Sequence, residues 1–327
     1  MADYKNSGKV TIANIIAIVG LALLMAFTYI GHSFQSGGEM GWDIVVSVGI
    51  TAFTGFLLWF LVKAKGAENE LDKWRKIEYA TLAVYVLFAI PASFMGGIMH
   101  FFAVNDNKAT IKEYAQADVN KINQMISAYK EFESAAITNT GNGLRGLASS
   151  NQRGDEKLMD FMEKNEIKQN SQGAEIFEDI QRNNLLGAAF ETYYQDIMKR
   201  EEEFLNAVNG WSIIQIPLKA KMMVEMAVKV EEELTRRSEA ALLPRIEDKG
   251  GIWSITEDNQ CREFRINGGI ENFQFMEALQ NTKGFSLTAL FVVLLIHLLI
   301  IFNYIVAHRT NVIRGGKEEK DGGIILN

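Results

Sequence analysis

Catalytic and metal centres are mostly built from histidine, cysteine and clustered carboxylates, and this chain keeps those groups apart. Its histidines are His32, His100, His297 and His308, and its one cysteine is Cys261. No HExxH, CxxC or paired-histidine spacing occurs, so no short motif supplies a metal site. A single cysteine with no histidine near it in sequence makes no thiolate–imidazole pair and excludes an intrachain disulfide framework. The acidic triplets Glu201-Glu202-Glu203 and Glu231-Glu232-Glu233 read as solvated helix faces rather than acid–base pairs. The stretch from Gly141 to Gly146, GNGLRG, lacks the Gly-Lys-Ser/Thr ending of a phosphate loop, and no strand precedes it. The expectation is a chain that is not an enzyme and uses no cofactor. One group stands apart: His297 lies midway along an uncharged apolar run, where an ionisable side chain is a functional candidate or a neutral partner to a neighbouring helix.

Four such runs must position it. They are Val10–Gly31, Ile44–Val62, Tyr79–Val104 and Gly284–Ala307, each without Asp, Glu, Lys or Arg. A bilayer core about 30 Å thick takes about 20 helical residues, so each run is long enough to span. The first is too long for a signal-peptide core and no small-x-small site closes it, which makes it an uncleaved anchor. Lysine and arginine set the orientation. They sit at Lys5 and Lys9, in the loop holding Lys63, Lys65, Lys73, Arg75 and Lys76, and in the tail at Arg309, Arg314, Lys317 and Lys320, while residues 32–43 hold none. Both termini and the 63–78 loop are therefore expected in the cytoplasm, and the 105–283 block across the membrane. Asn14, Thr28, Thr51, Thr54 and Ser93 are polar groups available to His297, and Pro91 with Gly96-Gly97 predicts a kink in the third span.

The chain has 327 residues, 48% hydrophobic and 22% charged, with a net charge of -7. That negative charge excludes a nucleic-acid binder, since phosphate backbones repel it. Residues 105–283 carry 22 basic and 30 acidic residues, so they account for the whole excess. From Asn107 to Ala136 a heptad places Ile111, Asp118, Met125 and Phe132 on one seam position and Ala115, Ile122, Tyr129 and Ala136 on the other, the pattern of a bundle or coiled-coil helix. Ile111, Ile122, Met125, Tyr129 and Phe132 are candidate interaction residues. Glycines break the pattern between Asn139 and Gly173, which reads as a loop excursion around a short helix at 157–168. A second helix is expected over 174–208 and a third from Pro217 to Pro244. Gly250-Gly251, alternating residues over 252–256 and 261–266, and Asn267-Gly268-Gly269 predict a small β-hairpin near 252–266. The tail, residues 308–327, ends in Ile324, Ile325 and Leu326, a candidate docking peptide.

The fold class is thus an all-α membrane protein: residues 1–104 as three spans (about 10–31, 44–62 and 79–104), a periplasmic, mainly helical domain over 105–283 with its hairpin, a fourth span over 284–307, and a cytoplasmic tail. The order of spans resembles that of tetraspanins, but the CCG motif and the disulfides of that family are absent. No Asn-x-Ser/Thr sequon occurs, and a bacterial inner membrane fits better. As a plan of spans plus a helical periplasmic block, the whole chain resembles the TssN-type membrane subunits of subtype iii type VI secretion systems. That resemblance implies a non-enzymatic structural subunit of an envelope-spanning machine, present in several copies as a homo-oligomer. Its implied partners are other membrane and periplasmic subunits, the lipid bilayer, and a cytoplasmic baseplate reached through the 63–78 loop and the tail. The competing readings are a membrane sensor with a periplasmic ligand domain and an oligomeric channel or transporter.

Overall fold

The computed structural model describes residues 12–66, 71–257 and 259–307. Its contacts group into two compact units, one formed by residues up to Asn105 and from Lys283 onward, the other by Asp106–Thr282.

The first unit is built from four helices long and apolar enough to cross a membrane, with mean hydropathies of 2.2, 2.2, 2.0 and 2.7 in chain order. α1 spans Ile12–Ser36, α2 spans Met40–Lys65 and α12 spans Leu287–Val306. The third span is composite: α3 (Leu71–Val84), a π-helical turn at Tyr85–Ala89, α4 (Ile90–Ser93), a second π turn at Phe94–Ile98, and α5 (Met99–Asp106). Pro91 has no N–H to give the preceding turn, and wide turns on either side of it absorb the mismatch. The kink falls at the glycines, where Gly97 takes φ +123°. Leu24, Leu61, Ala89, Ile98, Val293 and Ile300 form the centre of the bundle. Only 22–28% of each helix's most apolar stretch is buried, so most of that surface faces outward, as a lipid-facing helix requires.

The second unit contains α6 (Lys108–Ser149), β1 (Arg153–Gly154), α7 (Glu156–Lys164), α8 (Ser171–Leu186), α9 (Ala188–Asn209), α10 (Gln215–Ala240), β2 (Arg245–Asp248), β3 (Ile252–Glu257) and α11 (Gln274–Asn281). The strands form a sheet in the order β1-β3-β2, parallel and then antiparallel.

Three local expectations are corrected. The glycine-rich stretch after Asn139 is not a loop, because α6 continues through it to Ser149. Its glycines are close-approach sites. A Cβ on Gly143 would meet Ile246, and one on Gly146 would meet Trp253. Packing of the β2–β3 hairpin offsets the roughly 1 kcal/mol that each helical glycine costs. The helix expected over 174–208 is two helices, parted at Gly187, whose extended backbone (φ -81°, ψ -161°) cannot continue a helix.

The hairpin lies at 245–257 rather than 252–266. Gly250 and Gly251 take φ +66° and +102° and therefore form its turn instead of opening its first strand. Residues 261–266 do alternate, but against a helix. The N–H groups of Arg262, Phe264 and Ile266 donate to Ser238 Oγ (3.1 Å), Thr235 Oγ1 (2.9 Å) and Glu231 Oε1 (2.6 Å), all on α10. Positions 231, 235 and 238 share one helix face, so the extended strap meets a side-chain ladder where a sheet partner would stand.

Candidate functional site

His297 sits in the second half of α12 and is buried. Its partner is none of the small polar residues of the other spans. Thr28, Thr54 and Ser93 each donate to the carbonyl one turn back in their own helix. The partner is Tyr85, at the start of the first π turn, whose hydroxyl lies 2.8 Å from Nδ1 with the two rings nearly perpendicular at 84°. Either the phenol donates to Nδ1 or Nδ1–H donates to the phenol oxygen. In both cases Nε2 has no hydrogen-bond partner among the described residues.

A second pair repeats the first along the same two elements. Tyr304 Oη donates to Glu78 Oε1 at 2.7 Å. Tyr304 follows His297 by seven residues and Glu78 precedes Tyr85 by seven, so the two pairs lie about 10.5 Å apart along the helices. Glu78 is buried, although it lies one residue before the apolar run that begins at Tyr79. Below this layer, Lys65 Nζ donates to the carbonyls of Tyr304 (2.6 Å) and Ile305 (3.2 Å) and stands 4.7 Å from the Tyr304 ring. It caps the last turn of α12, where the helix dipole favours a cation. Asn303 donates to Asn14 across to α1.

A third layer collects at the junction of α1 and α2. Asp43 is fully buried and accepts from Ser36 Oγ at 3.0 Å, while its other oxygen and Nε2 of His32 have no hydrogen-bond partner among the described residues. Beside it, Gly31 meets the Gly97 carbonyl so closely that any Cβ would collide. The two buried carboxylates of this unit among the described residues, Asp43 and Glu78, were missed in the sequence because the helices run beyond the uncharged stretches that marked the spans.

In the second unit the heptad seam is covered by the chain itself. Ile111, Ile122, Met125 and Tyr129 are buried, and Phe132 is partly exposed. Tyr129 stacks on Phe190, meets Phe264 edge-on and donates to the Leu185 carbonyl at 3.2 Å. Phe132 also packs on Phe264. Asp118, the polar member of the seam, accepts from Lys121 (2.8 Å) and from the Phe275 N–H (2.9 Å), which ties α11 to α6. Ile324, Ile325 and Leu326 lie outside the described residues.

Two carboxylates of this unit enter its interior. Glu201, inside one of the acidic triplets, is 3% exposed, and Oε2 accepts from Asn123 at 3.0 Å while Oε1 has no hydrogen-bond partner among the described residues. Burial pushes its carboxyl up to about 7, with the Asn123 bond pulling the other way. Glu133 is fully buried and is likewise raised by burial, opposed by Ser238. An open groove of about 520 Å³ lies between α10 and the 263–271 segment. Its cations are paired, Arg236 with Glu233 and Arg265 with Glu263, so it offers an anion no free guanidinium. Among the described residues no three His, Cys, Asp or Glu side chains converge as a metal site. Cys261 is free and exposed.

The chemistry this arrangement performs in the spans is helix-to-helix hydrogen bonding in a place where water is scarce. Comparison with protein families, curated proteins and solved structures found no match for this chain.

Proposed function

We propose that this chain is a non-enzymatic structural subunit of a multiprotein envelope-spanning machine in a bacterial inner membrane. In this reading both termini are cytoplasmic and residues 105–283 are periplasmic. The resemblance to TssN-type subunits makes the membrane complex that anchors a type VI secretion apparatus the machine to test first. The observation that carries the reading is the use of the polar groups inside the spans. Tyr85–His297, Tyr304–Glu78, Asn303–Asn14 and Lys65 with the end of α12 each join two spans, so these groups hold the bundle together. The outward faces of the spans stay apolar and available to lipid or to other subunits.

The test is a mild-detergent pulldown of a tagged chain from native membranes, read by mass spectrometry and native size. Periplasmic and baseplate-type proteins in a particle far larger than the chain are the expected result. A homogeneous homo-oligomer without partners would remove this reading. It would favour the channel or transporter reading, for which the unpartnered Nε2 of His297 is the supporting observation.

A further inference from the structure

Within the first unit, the end where α2 stops and α3 begins gathers aromatic rings and cations. Phe56, Trp59, Phe60 and Lys63 fall on one face of α2, at helical spacings of three and four. Phe56 is 57% exposed and Trp59 is 55% exposed. Their ring centres stand 5.9 Å apart, Trp59 and Phe60 are 6.2 Å apart, and Phe60 meets Trp74 of α3 at 6.4 Å. The rings thus form a shelf that crosses from α2 to α3.

Cations border this shelf. The Lys63 ammonium stands 5.0 Å from the centre of the Trp59 ring, held over an outward indole by the ring's negative face. Arg75 and Lys76 follow Trp74 directly and are exposed. Among the described residues none of these three cations is in an ion pair. Other charges at this end have other work: Lys65 caps α12, Glu78 holds Tyr304, and Asp72 and Lys73 have contacts of their own. The opposite end of α2 differs. Residues 32–43 hold no lysine or arginine, and Trp42, 64% exposed, is followed by an aspartate.

The two halves of the patch ask for different chemistry in one occupant. An outward shelf of Phe56 and Trp59 needs apolar cover, and the cations beside it need an anion. Free phosphate would meet the cations and leave the rings bare. A zwitterionic lipid would cover the rings but bring its own ammonium against the cations. An anionic phospholipid supplies an acyl chain and a net negative headgroup together.

We infer that Lys63, Arg75 and Lys76, beside the shelf of Phe56 and Trp59, form a binding site for an anionic phospholipid. The inference goes beyond the structural-subunit role and rests only on reading the four apolar helices as membrane spans.

Single cysteines in a Cys261→Ser chain test it, each carrying an environment-sensitive fluorophore, in phosphatidylcholine vesicles. Tyr79→Cys lies one helical turn beyond Arg75 and is exposed, Met40→Cys marks the opposite end of α2, and Leu294→Cys lies on the outward face of α12. Nitroxide-labelled phosphatidylglycerol, at low mole fraction, should quench residue 79 severalfold more than phosphatidylcholine carrying the same label. At residue 40 the two lipids should quench equally. Lys63→Gln with Arg75→Gln and Lys76→Gln should bring residue 79 to the ratio seen at 40. Should that variant fail to fold, high salt added to the otherwise unaltered chain should remove the preference at 79.

Equal quenching at 79 by the two lipids would overturn the site, as it would if Glu68 and Glu70, outside the described residues, neutralise its cations. A preference that survives both the triple substitution and high salt would overturn it too and assign the lipid to other contacts. Shielding of 79 from both lipids while 294 is quenched would overturn it in favour of a second copy or a protein partner. If Leu294→Cys is not quenched by deep nitroxide lipids, the membrane reading fails and the site with it.

Discussion

Glu201 enters the folded second unit with one oxygen held by Asn123 and the other meeting no donor among the described residues. Burial lifts its carboxyl from the ordinary 4.5 to about 7, so the folded state holds a proton that the unfolded chain has released. Stability from this group is complete below about 4.5 and is lost as pH rises towards 7, a window that amounts to roughly 3 kcal/mol. Glu133 shifts in the same direction. The unfolding midpoint of the full chain in detergent should therefore fall as pH is raised from 4.5 to 7. Glu201→Gln keeps an acceptor for Asn123 and should flatten that slope. An unchanged slope in the variant would place the titration elsewhere.

Tyr85 and His297 invite a different comparison. Tyr85→Phe strands a buried imidazole nitrogen, whereas Tyr85→Phe with His297→Leu removes both partners together. Hydrogen bonds between spans couple by about 0.6 kcal/mol on average and by up to about 1.7 kcal/mol, and the double-mutant cycle read by thermal unfolding should return a coupling of that size. No measurable coupling would remove the pair from the list of contacts that hold the spans. His297 was visible in the sequence because it interrupts an apolar run. Tyr85 was not, because its role depends on a π turn that no composition announces.

At the scale of elements, glycine does two unlike jobs in this chain. Gly31 of α1 lies directly against the Gly97 carbonyl of the third span, while Gly49 of α2 has open space where a Cβ would stand. Gly31→Ala should therefore lower the yield of monodisperse protein and its unfolding midpoint, and Gly49→Ala should leave both unchanged. Equal behaviour of the two would mean that close approach of α1 is not needed. The same duality explains the misreading of residues 141–146, where glycines that suggest a loop are the helix face on which the hairpin rests. Alternation over 261–266 carried a true signal of extended backbone. It could not say whether a strand or the side chains of α10 would receive the N–H groups, because both have the same period along the strap. The apolar spans were the most legible elements, since one physical demand, about 20 residues without charge, sets them.

For the whole molecule, the seam from Ile111 to Phe132 illustrates where legibility ends. A heptad announces that a helix face is covered but not by which chain, and here the chain's own α9, α11 and 260s strap supply the cover. In the proposed assembly, contacts to other subunits would therefore use other surfaces. Cys261 offers a direct test of sidedness because it is exposed. A membrane-impermeant maleimide added outside spheroplasts should label it without unfolding, and labelling only after the membrane is opened would reverse the proposed orientation.

The lock between Lys65 and the last turn of α12 has a consequence in time. Lys65 and Tyr304 are 239 residues apart, and α12 is the last of the four long apolar helices to be made. At about 5–20 residues per second, the ribosome takes roughly ten to fifty seconds to travel between them. Throughout that interval Tyr85 and Lys65 lack the α12 groups that they meet in the finished chain. Bundle closure is thus a late event that reports a finished polypeptide, and a nascent chain stopped before α12 leaves both side chains without those contacts. Such a truncated chain should be cleared by membrane proteases several times faster than the complete one in a pulse-chase experiment. Equal lifetimes would show that the first three spans are already sound without the fourth.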